Sequence, residues 1–409
     1  MPQLPLASEP RQAAVFFILV TVVLDMLSFG IIIPVLPKLV EEFLKGDTAQ
    51  AAEMYGLMGT AWALMQFFCS PIQGALSDRF GRRPVVLLSN AGLGLDFILM
   101  ALAPNLGWLF AGRVISGIAS SSFSTAGAYI ADVTPPEKRA EAFGLMGAAF
   151  GLGFVLGPAV GGLLGAVDPR WPFWGAAATS LLNACYGFFV LPESLAPDKR
   201  APFRWQRANP VGSLVLLRSH HELFGLATAS FLMNLAHVVL PSVAVLYLGY
   251  RYGWGASAVG FTLAAVGVCA MIVQGALVKP ITARIGERRT MLTGLLCGAA
   301  GFVIYGLAPT PALYCLGIPV MAFWGLAGPS AQVFMTRRVT ASEQGQLQGA
   351  IASLTGIAGL IGPSLFTQTF AIFIGSQTGW HLPGAPYLLS ASLLLIAMVV
   401  AARATQSAR

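Results

Sequence analysis

Charge is what this sequence has least of. Only 10% of its 409 residues are Asp, Glu, Lys or Arg, where a soluble domain carries about a quarter. That shortage excludes a soluble enzyme, a nucleic-acid binder and a disordered chain. Histidine is scarce, with four in all, and His220 and His221 have no acid near them except Glu222. A membrane enzyme with clustered His, Asp or Glu at one face is therefore disfavoured. Cysteine is limited to Cys69, Cys185, Cys269, Cys297 and Cys315, each inside an apolar run and none in a Cys-x-x-Cys spacing. They read as small core residues, so neither a disulfide framework nor a metal site is expected. Long polar stretches are missing too. The longest connection, 192–220, has under 30 residues, too few for the soluble sensing domain of a receptor. No cleavable leader is expected, because the first ten residues are polar, include Glu9, and precede an apolar run long enough to span.

What the chain has instead is apolar length. With 56% hydrophobic residues, it reads as twelve membrane spans, at about 13–36, 55–76, 84–103, 106–131, 140–166, 171–191, 221–248, 257–279, 290–308, 311–336, 345–374 and 385–402. Crossing ~30 Å of hydrocarbon takes about 20 helical residues, which each run supplies, some with tilt. The polar, basic connection 192–220 divides two groups of six, predicting bundles at 1–191 and 221–409. The net charge of +7 would suggest an anionic partner in a soluble protein. Here it is sorted by loop. Of 24 Lys and Arg, 19 fall on the side of the termini, among them Arg79, Arg82, Arg83, Arg204, Arg207, Arg218, Arg288, Arg337 and Arg409. Lys38, Lys45, Arg170 and Arg251 fall on the other, and Arg113 alone lies within a span. The excess predicts cytoplasmic termini and accounts for the charge without nucleic acid.

The halves repeat. Arg79-Phe80-Gly81-Arg82-Arg83 follows span 2, and Arg284-Ile285-Gly286-Glu287-Arg288 follows span 8, an offset of 286 − 81 = 205. Gly157-Pro158 and Gly362-Pro363 share that offset, as do Gly144 and Gly349. Three landmarks at one offset indicate a duplicated six-helix unit. Two such halves entering from one side are parallel repeats, an arrangement that places substrate near the midplane between halves and moves by rocking.

Several motifs resemble a known family. Gly74-Ala75-Leu76-Ser77-Asp78-Arg79-Phe80-Gly81-Arg82-Arg83 is similar to the signature loop of the major facilitator superfamily. Gly153-Phe154-Val155-Leu156-Gly157-Pro158-Ala159-Val160-Gly161-Gly162 resembles the antiporter motif of its drug:proton exporters, and Arg113 their span-4 arginine. Leu24-Asp25, Gly127-Ala128-Tyr129-Ile130-Ala131-Asp132 and Gln344-Gly345-Gln346-Leu347-Gln348-Gly349 resemble bacterial tetracycline efflux transporters. The resemblance covers nearly the whole chain. It implies an all-α membrane protein of twelve helices in two six-helix bundles. It also implies export of a small amphipathic drug from the cytoplasm across the bacterial inner membrane, against entering protons, by alternating access. The expected partners are substrate, protons and lipid, with the chain a monomer. No cofactor is expected, since the proton gradient drives exchange; a divalent metal would arrive bound to the substrate.

The residues offer that chemistry themselves. Charges inside a membrane are costly and so are functional candidates by default. Asp25 and Asp96 each lie about 12 residues into spans 1 and 3, or ~18 Å at 1.5 Å per residue. Arg113, about seven residues from the outer end of span 4, lies ~20 Å from the inner surface. A carboxylate out of water holds its proton more tightly, and a nearby arginine loosens it. Substrate that screens the arginine then changes proton affinity, which exchange requires; the alternative is a structural ion pair tying spans 1, 3 and 4. Gln66 and Gln274 are amides in apolar runs that need partners, from substrate or from a neighbouring helix. Asn234 and His237 in span 7 are weaker candidates.

Asp78, Gly81, Arg82, Arg83 and Asp132 form an expected gating network. Asp78 would dock on the start of span 11, and Arg82 would pair with Asp132. Position 283 = 78 + 205 is Ala283, so the latch is one-sided. Gly153, Gly157, Pro158, Gly161 and Gly162 predict a smooth, bendable interface between halves, or ordinary glycine-rich packing. Two positions depart from the tetracycline exporters. Their span-9 carboxylate is here Gly298 and their span-8 histidine is Ala270. This weakens a metal–tetracycline chelate as substrate. The remaining alternatives are export of another lipophilic compound or metabolite and, more remotely, a non-transporting receptor.

Overall fold

The computed structural model describes residues 9–120, 122–203, 209, 212–214, 216–217, 221–340, 343–375 and 381–406. Regular structure among them is helical, with no strand. Span 1 is Glu9–Ile32 and resumes as Leu36–Phe43 beyond a break at Pro34, whose ring removes a backbone donor. Span 2 is Thr48–Phe80, span 3 Arg82–Ala101, and span 4 Leu106–Ala119 followed by Ser122–Val133. Spans 5 and 6 are Arg139–Val167 and Trp171–Val190. Span 7 is His221–His237 and Val239–Tyr252. Span 8 is Ala256–Ile272, a π-helical turn Val273–Leu277, and Val278–Ile285. Span 9 is Glu287–Leu307, and span 10 is Pro311–Ala322, a 3₁₀ turn Phe323–Leu326, and Ala327–Thr336. Spans 11 and 12 are Gln344–Ile374 and Ala385–Ala404.

All twelve expected spans are thus helical. Ten are long and apolar enough to cross a membrane; span 2, which carries Gln66 and Gln73, and the broken span 4 are the others. Phe189 is 81% exposed, and Leu88, Leu95, Leu182 and Phe188 are exposed with it. Such a surface suits lipid and not water. The chain is a multi-pass membrane protein.

Two compact units divide the chain. Unit 1 holds Met1–Leu36 and Leu64–Asn209; unit 2 holds Pro37–Ala63 and Pro210–Arg409. Within unit 1, span 1 lies along span 5 and against span 6, and span 3 packs on spans 4 and 6. Within unit 2, spans 7 and 9 pack on span 12, and span 10 on span 9. A buried aromatic cluster packs unit 2 where the ends of spans 7 and 9 meet the starts of spans 10 and 12: Tyr305 stacks on Tyr314 at 4.2 Å, and Tyr247 meets Tyr387 edge to face at 5.0 Å. Residues 37–63 belong to the first six spans in sequence but pack in unit 2. There Tyr55 Oη donates to the Pro241 carbonyl at 3.1 Å, Thr60 and Ser364 hydroxyls meet at 2.9 Å, and Lys38 Nζ donates to the Trp254 carbonyl.

The connection expected at 192–220 starts as an attachment to unit 1. Tyr129 Oη donates to the Pro192 carbonyl at 2.9 Å, and the Ala201 N–H to the Asp78 carbonyl at 3.1 Å. Arg204, Arg207, Arg218, His220 and Arg409 lie outside the described residues.

The 205-residue offset extends to local geometry. Span 1 is interrupted from residue 33 and span 7 at residue 238 = 33 + 205. The first helix of span 4 ends at Ala119 with Ser120 as its C-cap, and 120 + 205 = 325 lies in the 3₁₀ turn of span 10. Asn105 caps span 4 and Thr310 caps span 10, each accepting from an N–H three residues on. Gly81 and Gly286 both have positive φ, 106° and 78°. Turn chemistry and helix breaks survived duplication because they depend on a few local residues.

Candidate functional site

Spans 3 and 4 bring two of the expected charges, Asp96 and Arg113, into one cluster. They approach closely at Gly112, where an added Cβ would lie 2.4 Å from Met100 Cγ and 3.1 Å from Asp96 Oδ1. Asp96 is 2% exposed, Arg113 7% and Asp25 6%. The Ser116 hydroxyl donates to Asp96 Oδ2 and lies 2.9 Å from the Gly112 carbonyl. Asp96 Oδ1 has no hydrogen-bond partner among the described residues. The Arg113 guanidinium acts on this carboxylate electrostatically. Asp96 is therefore an acid removed from water, held on one oxygen by a neutral hydroxyl, open on the other, and facing a cation. Charge in such a place is costly, which makes the group a candidate for function.

Asp25 is carried by span 1, and the antiporter glycines decide how that span is held. A Cβ on Gly153 would lie 2.7 Å from Met26 Cβ and from the Val23 carbonyl oxygen, within two residues of Asp25 in sequence. On Gly157 it would meet Gly30 Cα at 2.6 Å, and on Gly161 the Ile31 carbonyl oxygen at 1.9 Å. The sequence left this stripe as either an interface between halves or ordinary glycine-rich packing. Those three glycines seat span 5 on span 1 of their own unit, where only hydrogen fits between the two backbones.

A second network closes the end of unit 1 where spans 2, 3 and 4 meet. Buried Arg82 donates from Nε to Asp132 Oδ2 at 3.0 Å, and from Nη1 to Asp78 Oδ1 at 2.5 Å and Ser77 Oγ at 2.7 Å. Its pairing with Asp132 is as expected. Asp78, expected to dock on span 11, is held by Arg82 within unit 1. The start of span 3 is capped from a distance. Glu193 accepts the Arg82 N–H at 2.8 Å on Oε1 and the Arg83 N–H at 3.3 Å on Oε2. A carboxylate at a helix N-terminus satisfies orphan donors and complements the dipole. Gly81 makes this possible, since its φ of 106° suits glycine and a Cβ there would fall 2.2 Å from Glu193 Oε2. Arg83 packs over the Phe188 ring at 5.7 Å. Glu193→Ala is expected to destabilise the folded protein by about 1–2 kcal/mol, measured as a lowered denaturation midpoint in detergent. An unchanged midpoint would remove the capping role.

Unit 2 repeats the ion pair with its signs exchanged. Arg82 corresponds to 82 + 205 = 287, which is Glu287, and Asp132 to 132 + 205 = 337, which is Arg337. Arg337 pairs with Glu287 at 2.7 and 2.8 Å. The pairing outlived the duplication although both residues changed.

The other candidates are placed singly. Gln66 is half-buried on span 2. Gln274 is exposed on the π-helical turn of span 8, and Gly325 lies against it. Asn234 donates to the Ser230 carbonyl on its own helix at 2.8 Å. His237 ends the first helix of span 7, exposed, with its ring 5.6 Å from the Trp324 ring.

The Major Facilitator Superfamily profile matches residues 18–363, most of the chain and both units. The chain belongs to the Major Facilitator Superfamily. It is a membrane transporter and not an enzyme. The tetracycline resistance protein, class C, of Escherichia coli is 38% identical over 385 residues, covering 94% of this chain and 95% of that one. The class G protein of Vibrio anguillarum is 35% identical over 396 residues, covering 96% and 98%. A solved structure of the nucleoside transporter NupG superposes with a TM-score of 0.76 at 14% identity, covering 96% of this chain and 99% of that one. That likeness concerns the fold.

Against this superfamily frame, sequence reasoning missed Ser116, Glu193 and Trp324. Ser116 stands three residues after Arg113, on the same helix face. Glu193 is the first acid after the apolar run of span 6. Both signals are visible, but neither names the partner, which comes from another span.

Proposed function

We propose that this transporter exports a small amphipathic drug of the tetracycline kind from the bacterial cytoplasm in exchange for protons, by alternating access. The observation that carries this is the buried cluster of Asp96, Arg113 and Ser116 in the membrane part of unit 1. Asp25 on span 1 serves as a second proton-carrying carboxylate, and Gln66 and Gln274 contact substrate. The Arg82 network restrains spans 2, 3 and 4 as one block during the cycle. The excess of basic residues on the side of the termini supports cytoplasmic N- and C-termini. The protein acts as a monomer driven by the proton gradient, without a cofactor. A divalent metal enters only with a chelating substrate.

Inverted vesicles loaded with a pH-sensitive dye test this reading. Adding tetracycline, with and without Mg²⁺, and then a panel of lipophilic cations should release protons from the acidified lumen for at least one compound. Absence of release across the whole panel would overturn it.

A further inference from the structure

Three helices of unit 2 lose regularity at one place. Span 7 breaks after His237, span 8 widens to a π-helical turn at Val273–Leu277, and span 10 tightens to a 3₁₀ turn at Phe323–Leu326. Helix irregularities of this kind re-aim side chains and recur at functional sites. Here they bring the Gln274 side chain beside Gly325 and the His237 ring beside that of Trp324. A Cβ on Gly325 would lie 3.1 Å from Gln274 Cγ and 3.5 Å from its Nε2, so the amide lies beside the backbone next to Trp324. The Trp324 ring is 5.6 Å from the His237 ring and 5.5 Å from that of Phe302. His237 and Gln274 are exposed and Trp324 is half-buried, so the group has an accessible face.

The same tryptophan explains a departure noted in the sequence. A Cβ at Gly298 would lie 2.8 Å from Trp324 Cγ and 2.8 Å from Leu394 Cδ1. The indole occupies the space that a span-9 carboxylate requires, so Gly298 and Trp324 belong together.

We propose that Trp324, His237 and Gln274 form a substrate subsite in unit 2 that takes a flat, metal-free aromatic ring system. The inference rests on the drug-export reading and narrows its substrate class. Indole and imidazole offer faces on which a planar ring stacks. The Gln274 amide offers both a donor and an acceptor to phenol, enol or keto groups at the ring's edge. An aromatic wall in place of a carboxylate removes the reason to prefer a metal chelate.

The test uses the full chain in inverted vesicles, with tetracycline as probe in EDTA and in Mg²⁺. Wild-type uptake should saturate in EDTA at a concentration no higher than in Mg²⁺. Trp324→Ala should raise the half-saturating concentration by about tenfold. Trp324→Phe should stay within about threefold, since it keeps a stacking face. Gln274→Leu, at an exposed position, should raise it by about fivefold through the lost hydrogen bonds. Should Trp324→Ala fail to accumulate, the Phe and Leu variants decide on the same scale. Uptake that requires Mg²⁺, or wild-type saturation in both Trp324→Ala and Gln274→Leu, would overturn the subsite while leaving export intact. No uptake of any panel compound by the wild type would instead overturn the export reading, and this inference with it.

Discussion

Asp25→Asn and Asp96→Asn are each expected to abolish proton-coupled export while the protein stays folded. Asparagine keeps the shape of the carboxylate. At position 96 it keeps an acceptor for the Ser116 hydroxyl, and it fits the space left by Gly112. What it removes is the site where a proton can be loaded and released. Drug-driven proton release in inverted vesicles should fall by about a hundredfold or more, the scale on which positioned proton-transfer groups act. Exchange of labelled for unlabelled drug without a gradient should persist, because the substrate contacts are intact. That second measurement separates lost coupling from a lost binding site. Wild-type proton release from either variant would remove that carboxylate from the coupling path.

Gly161→Val is expected to have the second largest effect, on folding. The new Cβ would stand 1.9 Å from the Ile31 carbonyl oxygen and 2.7 Å from the Ile31 carbonyl carbon. Both atoms are backbone, so no side-chain rotation relieves the clash, and spans 1 and 5 must separate. Overpacking of a tight core costs about 1–3 kcal/mol even where side chains can yield, so a loss at or above the top of that range is expected. The variant should show a strongly reduced folded yield on gel filtration in detergent. Gly144→Ala and Gly147→Ala on the same span are the controls, since nothing lies within 4 Å of a Cβ at either position. They should accumulate like the wild type. Equal loss at all three positions would mean that the stripe acts through helix flexibility and not through contact with span 1.

The sequence by itself determined what depends on composition and local pattern. Low charge and long apolar runs give twelve helices, since a backbone in lipid must satisfy its own hydrogen bonds. The offset of 205 gives the duplication, including the turns at Gly81 and Gly286. Charge at Asp25, Asp96 and Arg113 marked these residues as candidates, because charge is costly in a membrane, and all three are buried.

Only the tertiary structure decided which spans these residues face. Asp96 is tied to Ser116, twenty residues on; Arg82 and the start of span 3 are tied to Glu193, more than a hundred residues on. Helical periodicity says which face a residue occupies but not which helix covers that face, and in lipid every neighbour is apolar. The antiporter glycines are the clearest case. Their spacing announces close approach, while only the packed unit shows that their partner is the span carrying Asp25. Trp324 is the other. In sequence it is one aromatic in an apolar run; in space it fills the place left by Gly298, because two side chains from different spans compete for one volume.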